Sequence, residues 1–147
     1  MKKILSVSLV VLLCFGLCAC NSTVSLLFET VQKTVDPTQE RKDMLEEAFV
    51  KCCDSDSDFA SLSADSTSLV IDTNPNDTEY SYFNEEKAFA AIVATNNYLK
   101  FPSSITDKMS STRALDGMQT QNGSDFTATW TYHPDEGLKV IYEINFS

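Results

Sequence analysis

The chain has 147 residues, with 21 acidic and 11 basic side chains and a formal net charge of −10. This charge opposes binding to nucleic acid and to anionic lipid headgroups, because both are strongly negative. A charged partner of such a chain is therefore expected to be a basic protein or peptide.

The first nineteen residues have the pattern of an export signal. Two lysines precede an apolar run, Ile4 to Ala19, after which the sequence becomes polar. The run is shorter than the about 20 apolar residues that a membrane-spanning helix needs. We therefore expect residues 1–19 to be removed, which takes 147 residues to 128 and, because Lys2 and Lys3 are lost, the net charge from −10 to −12. A chain of that length is typical of one domain.

Cys20 is the predicted site of a lipid anchor. The stretch Leu17-Cys18-Ala19-Cys20 resembles the bacterial lipobox, with Leu three places before the cysteine and a small residue directly before it. The resemblance implies that the Cys20 thiol receives a diacylglyceryl group and becomes the N-terminus at the extracytoplasmic face of the cell membrane. Cys14 and Cys18 would leave with the signal. The alternative is a plain secreted protein that is cleaved near Ala19.

Two further cysteines, Cys52 and Cys53, stay in the exported chain. Neighbouring Cα atoms lie about 3.8 Å apart, whereas ordinary disulfides need roughly 4.4 to 6.8 Å. We therefore expect two free thiols that face the core, and a fold that is stabilised by apolar packing instead of disulfides.

Residues 20–36 form a segment next to the anchor, with apolar side chains at helical spacing. It either packs on the domain or lies near the membrane surface. The scarcity of lysines suited to an interfacial helix favours packing. The apolar positions are Val24, Leu27, Phe28, Val31 and Val35.

Residues 37–147 are predicted to form a single domain that begins with two helices separated by a strand. Asp36 before Pro37 is typical of a helix start, and the helix continues to about Cys53. We interpret residues 54–68 mainly as a loop and residues 67–73 as a strand. The buried face of the helix that begins at Pro37 is predicted to hold Met44, Leu45, Ala48, Phe49, Cys52 and Cys53.

A second helix is expected from a cap at Asn84 to about Leu99, and its apolar side is marked by Phe89, Ile92, Val93 and Leu99. A short helix then begins at Pro102-Ser103-Ser104, ends near Ser111 and holds Ile105 and Met109.

From Arg113 onward the apolar pattern has a period of two, which predicts three strands in a meander. Asn122-Gly123 marks one turn, and residues 133–137 contain the other. The apolar side chains of the last two strands must lie on one face of the sheet, so Tyr132 is expected opposite an even-numbered residue. The second loop then has three residues (135–137) or five (133–137). The two sets are Phe126, Ala128, Trp130 and Tyr132, and Leu138, Val140, Tyr142, Ile144 and Phe146.

These elements predict an α+β fold. Two main helices and a short one cover one face of an antiparallel sheet of about four strands, which ends in the three-stranded meander.

The C-terminal third resembles a group of small lipoproteins from Gram-positive bacteria. The similarity covers about 35 residues. It implies a lipid-anchored surface protein and identifies no site residue, because this group has no assigned activity. The similarity rests on the stretches Thr112-Arg113-Ala114-Leu115-Asp116-Gly117, Gln119, Trp130-Thr131-Tyr132-His133-Pro134-Asp135, Gly137-Leu138 and Tyr142-Glu143.

The sequence contains no pattern that predicts a metal ion, a cofactor or a catalytic group. Asp54, Asp56 and Asp58 match the start of a calcium loop, but Phe59 stands where such loops need Gly and Asp65 where they carry Glu. These aspartates are expected to form a solvated acidic loop. Cysteine chemistry with the single histidine, His133, conflicts with the expected burial of the thiols. Only Gly117, Gly123 and Gly137 follow the signal, too few for a phosphate loop.

The aromatic residues Trp130, Tyr132 and Tyr142 are predicted to belong to the core and not to a ligand platform. Arg113 and Asp116 are predicted to form a local ion pair beside a turn. The opposite face of the sheet, with Thr127, Thr129, Thr131, Ile141 and Glu143, is the one expected to meet solvent or a partner.

The favoured hypothesis for function is a lipid-anchored surface protein that binds or has a structural role without being an enzyme. One alternative is an acidic inhibitor or sequesterer of cationic proteins, suggested by the charge. The other is a hydrolase of the cell wall that uses two carboxylates, although the sequence identifies no pair.

Overall fold

A computed structural model describes residues 36–75 and 82–146. Within these ranges the chain forms three α-helices and five strands, as the α+β prediction expected. None of the described helices is long and apolar enough to cross a membrane. In chain order the elements are α1 (Pro37–Cys52), β1 (Ala60–Leu62), β2 (Ser68–Asp72), α2 (Tyr82–Tyr98), α3 (Ser104–Ser111), a 3₁₀ turn (Ala114–Asp116), β3 (Gln119–Asn122), β4 (Phe126–His133) and β5 (Gly137–Ile144).

The five strands form one open antiparallel sheet in the order β1-β2-β5-β4-β3. The last strand in sequence, β5, therefore lies in the centre, between β2 and β4. The inward side chains of these three strands are almost fully buried, and Tyr142 in β5 and Leu69 and Ile71 in β2 have no exposed surface. The alternation of apolar and polar residues decides which face meets the helices.

The first helix begins and packs as its sequence predicts. The Asp36 carboxylate accepts a hydrogen bond from Thr38 N–H at 3.0 Å, which caps the helix. Leu45 and Ala48 are completely buried against the sheet side of the domain, and Cys53, which follows the helix, is 1% exposed. The predicted α3 is also confirmed, because Ile105 and Met109 are both 1% exposed.

The β4–β5 hairpin has the predicted parity. Tyr132 pairs with Leu138, an even-numbered residue, which is the register of the five-residue alternative. One further pair, His133 with Gly137, extends the ladder, so that the turn itself contains residues 134–136. Gly137 has φ +79°, a conformation that favours glycine.

Residues 54–68, predicted mainly as a loop, contain an additional strand, β1. Its three residues pair with β2 through Ala60–Ile71, Ser61–Val70 and Leu62–Leu69. The segment is short and rich in Ser and Asp, so its weak apolar pattern gives no strand signal by itself. Pairing with β2, a contact that the sequence pattern does not reveal, makes it a strand.

Two predicted boundaries are wrong. The second helix begins at Tyr82, so Asn84 lies inside its first turn instead of capping it. Phe146 was expected on the core face, but β5 ends at Ile144 and Phe146 is 74% exposed. The strand ends because Asn145 turns to the β3–β4 connection, where its side-chain amide donates to the Gly123 carbonyl at 3.1 Å.

Residues Asp36–Ser147 form a compact unit with its own core, which supports independent folding of this part of the chain. The signal 1–19, Cys20 and the apolar stripe of residues 20–36 up to Val35 lie outside the described residues.

Candidate functional site

A groove of about 390 Å³ opens at the end of the sheet where the β4–β5 hairpin turns. This volume is within the usual range of small-ligand sites. We call it the hairpin groove. It is lined by the start of α2, the end of α3, the hairpin and the residue after β2, that is, by Glu85, Glu86, Phe89, Met109, Ser110, Tyr132, Leu138 and Thr73.

The inner part of the hairpin groove is apolar. Met109 and Leu138 are buried, and the rings of Phe89 and Tyr132 are half-buried against the core. Aromatic faces carry partial negative charge and attract cations. The lining therefore suits an apolar stem that ends in a positive charge.

Two polar groups of the hairpin groove have no partner in the described part of the chain. The Glu86 carboxylate and the Tyr132 hydroxyl make no hydrogen bond or ion pair with residues 36–75 or 85–146. Glu85 and Glu86 lie in the first turns of α2, where acidic side chains also stabilise a helix through its dipole. The Glu86 carboxylate nevertheless gives the groove negative charge, and the described residues of its lining include no basic side chain.

The shape of the hairpin groove depends on a tight contact between β5 and the residue that follows β2. Leu138 N–H donates to Thr73 Oγ1 at 2.8 Å, and Thr73 N–H donates back to the Leu138 carbonyl at 2.9 Å. The Asn74 amide donates to the Asp135 carbonyl in the turn at 2.9 Å. These bonds fix the end of the hairpin, which carries Tyr132 and Leu138 into the lining.

Two other grooves are less suited to a cation. The larger, about 710 Å³, lies between α1 and α2 and has Asp54, Asp56 and Asp58 in its lining, but Lys51 and Lys87 are there too. The smaller, about 330 Å³, lies beside Trp130 and combines Lys108 with Asp116 among neutral polar residues. Among these three grooves, a positive ligand meets the least opposing charge in the hairpin groove.

The three aspartates that match the start of a calcium loop line the larger groove, between α1 and α2, but they are not arranged as a metal site. Asp54, Asp56 and Asp58 are exposed. In residues 36–75 and 82–146, no group of three or more His, Cys, Asp or Glu side chains is arranged so that it could hold a metal ion.

Cys52 and Cys53 are free thiols, as predicted. Burial raises the pKa of both, and that of Cys53 reaches about 11. A thiol with such a pKa stays protonated at neutral pH and is a poor nucleophile. His133 is half-exposed on the hairpin, where its Nδ1 accepts a hydrogen bond from Asp135 N–H at 3.3 Å.

The predicted ion pair between Arg113 and Asp116 is present, with Nη2 and Oδ1 3.1 Å apart. Trp130 and Tyr142 are buried in the core as predicted, whereas Tyr132 lies partly in the hairpin groove. The threonine face of the sheet lies opposite the helices, and Thr131 and Glu143 on it are exposed.

The carboxyl groups whose pKa is clearly shifted in the described ranges are all shifted downward. Hydrogen bonds cause each shift, chiefly from Lys51 to Glu47, from Ser63 to Asp65, from Arg113 to Asp116 and from Ser124 to Asp125. A general acid needs the opposite shift. These four groups therefore give no support to acid catalysis.

Sequence reasoning placed Phe89 on an apolar helix face and Tyr132 in the core, but it missed Glu85 and Glu86. Their only signal was a pair of acids near the start of a predicted helix, which is common at such positions. Comparisons of the chain with protein-family models, curated proteins and solved structures find no match.

Proposed function

We propose that this chain is a lipid-anchored binding protein of the outer face of the cell membrane, which holds a positively charged side chain of a basic protein or peptide in the hairpin groove. The observation that carries the proposal is the unpartnered Glu86 carboxylate beside Tyr132 and Phe89 in a groove with an apolar floor. The lipobox at Cys20 supports the anchor.

Lysine and arginine match this groove because both have an apolar stem and a charged end. The stem would contact Met109 and Leu138, and the charge would lie between Glu86 and the aromatic rings. A small neutral apolar ligand would leave the Glu86 carboxylate without a counter-charge. An anionic ligand would be repelled.

The net charge supports the same class of partner at long range. The exported chain carries −12, so a basic protein would be attracted before contact and its association would weaken with salt. A negative domain beside a negative membrane is also held away from the lipid surface, which leaves the groove accessible to proteins.

Binding of trilysine to residues 36–147, measured by calorimetry, tests the groove. We expect binding that weakens with salt and that is lost when the three Nε groups of the same peptide are acetylated, because acetylation keeps the stem and removes the charge. Glu86→Gln should reduce the affinity about tenfold, the effect of one charge-assisted contact. Glu136→Gln, which removes an exposed carboxylate outside the groove lining, is the matched control.

Equal losses in the Glu86→Gln and Glu136→Gln variants would mean that trilysine responds only to net charge, and the groove would lose its assigned role. The anchor has a separate test. Mass spectrometry of the N-terminus of the cell-associated protein should find diacylglyceryl on Cys20, and Cys20→Ser should release the protein into the medium. An unmodified N-terminus at any other residue would contradict the anchor.

A further inference from the structure

The strand β3 leaves one side of the sheet open. It is the last strand in the sheet order and pairs only with β4 among the described strands. An unpaired edge is a template for another strand, and proteins usually protect it with lysine, proline, a bulge or a very short strand. The β3 sequence, Gln119-Thr120-Gln121-Asn122, contains neither lysine nor proline. The opposite edge, β1, has only three residues.

The hydrogen-bonding pattern identifies the groups on the open edge. Gly123 N–H donates to the Phe126 carbonyl at 2.8 Å, so this opposed pair is hydrogen-bonded. Antiparallel pairs alternate, which directs the backbone groups of Gln121 toward β4 and those of Thr120 and Asn122 away from it. The Asn122 carbonyl accepts one bond from the Gln121 side chain at 3.2 Å and keeps a second lone pair. The edge can therefore form a further ladder.

Two large apolar side chains are exposed directly before this edge. Leu115 is 96% exposed and Met118 is 75% exposed. The turn that carries them is held firmly: Arg113 N–H and its guanidinium both donate to the Asp116 carboxylate, and the Gln119 amide donates to the Asp116 carbonyl at 2.6 Å. A fixed apolar group in water is a typical element of a protein contact.

The charge distribution favours contact between two copies at this edge. Residues 100–125, which include the β3–β4 connection, carry three basic and three acidic side chains, a net charge of 0, whereas the other residues of 36–147 carry five basic and seventeen acidic ones, a net charge of −12. Two copies repel each other wherever the acidic regions meet. The β3 side is the part of the domain where they can approach without this repulsion. The charged residues of this stretch are Lys100, Asp107, Lys108, Arg113, Asp116 and Asp125.

We propose that β3 pairs with β3 of a second copy in antiparallel orientation about Thr120, which joins two five-stranded sheets into one. Thr120 would face its own counterpart, and Met118 would face Asn122 of the other copy. Such a two-fold contact is self-complementary, as the commonest class of dimer requires. The contact is small, so the dimer is weak in solution. Anchoring of two chains in one membrane would strengthen it by raising their effective concentration.

Sedimentation velocity of residues 36–147 over a wide concentration range tests the proposal. We expect a reversible monomer–dimer equilibrium. Thr120→Pro removes an N–H that points away from β4, so it should leave the internal ladder intact and raise the dimer dissociation constant at least about tenfold. Ala60→Pro is the matched control: Asp72 N–H donates to the Phe59 carbonyl at 2.8 Å, which places the Ala60 N–H on the other free edge.

Cross-linking provides a second measurement in case Thr120→Pro disturbs the fold. In a chain with Cys52 and Cys53 replaced by Ala, Thr120→Cys should form an intermolecular disulfide under mild oxidation, because directly opposed residues lie within disulfide distance. Thr129→Cys, on the same face of β4, should not. A monomer at every concentration, equal effects of the two proline variants or equal cross-linking of the two cysteine variants would overturn the proposal.

Discussion

The Tyr142 hydroxyl donates a hydrogen bond to Asn96 Oδ1 at 2.8 Å in the centre of the core. Tyr142 belongs to the central strand β5 and Asn96 to α2, and their exposed fractions are 0% and 2%. The Asn96 amide donates in turn to Thr106 Oγ1 in α3 at 3.2 Å. One polar chain therefore connects the sheet with two helices, at a place where every group needs a partner.

Removal of the Tyr142 hydroxyl should destabilise the domain. Tyr142→Phe leaves the Asn96 carbonyl oxygen buried without this donor, which typically costs about 1–3 kcal/mol. Urea unfolding followed by circular dichroism measures the change. Tyr98→Phe, whose hydroxyl bonds Glu47 at the surface, should cost much less. Equal losses in the two variants would contradict the special role of the buried bond.

Gly137 should be far less tolerant of a side chain than Gly117, although both have positive φ, +79° and +64°. A Cβ on Gly137 would lie 2.3 Å from Thr73 Oγ1, whereas one on Gly117 would have no atom within 4 Å. Gly117 also has ψ −157°, a conformation that essentially only glycine adopts, so we expect Gly117→Ala to lower the free energy of unfolding by about 1–3 kcal/mol through backbone strain alone. Gly137→Ala should cost about 1–3 kcal/mol more than Gly117→Ala, because a steric clash is added to the strain. Thermal unfolding of both variants tests the difference.

Thr112 should control the environment of Trp130, the one tryptophan in the sequence. Trp130 Nε1–H donates to Thr112 Oγ1 at 2.8 Å, and the Thr112 hydroxyl donates to the Lys108 carbonyl at 2.7 Å. Thr112→Val removes the acceptor and should lower the free energy of unfolding by about 1–2 kcal/mol. The tryptophan emission of the folded variant should also change. Thr131→Val, on the exposed threonine face, is the control and should leave the emission unchanged.

Asp125 should contribute to acid sensitivity. Its pKa is lowered first by the hydrogen bond from Ser124 and then by the one from Arg41. A carboxyl with a lower pKa in the folded state adds stability above its unfolded pKa, about 3.9, and that stability is lost as the pH falls through the folded value. Asp125→Asn should therefore flatten the loss of unfolding free energy below about pH 4.

Asp58→Asn provides the comparison for Asp125, because the Asp58 carboxylate makes no hydrogen bond to the described residues. Its curve of stability against pH should follow that of the parent chain. If both variants flatten the curve equally, the effect arises from net charge and not from the contacts of Asp125.

Local patterns were sufficient to predict most of the elements. The cap at Asp36 predicted the start of α1, and the period of two predicted that Tyr132 pairs with an even-numbered residue. Patterns failed where long-range contacts decide the outcome. Ala60–Leu62 becomes a strand only through β2, and Phe146 leaves the core face because Asn145 bonds to the β3–β4 connection.

The hairpin groove could not be predicted from the sequence, because it too depends on long-range contacts. Its lining comes from α2, α3, the β4–β5 hairpin and Thr73, so its members are as far apart in the chain as Thr73 and Leu138. Glu86 alone is an ordinary acid in an early helical turn. Glu86 becomes a candidate ligand contact only because Tyr132 and Phe89 line the same groove.

Arg41 in α1 bonds the Asn145 carbonyl at 2.6 Å and the Asp125 carboxylate at 3.2 Å, so the first turns of α1 and the residue after β5 lie at the same end of the sheet. The hairpin groove opens at the other end, about seven residue steps away along β4, or roughly 24 Å. A tag that follows β5 and fixes the protein on a sensor chip would therefore be attached at the end of the sheet opposite the groove. The domain can be immobilised in one orientation without blocking its candidate ligand site.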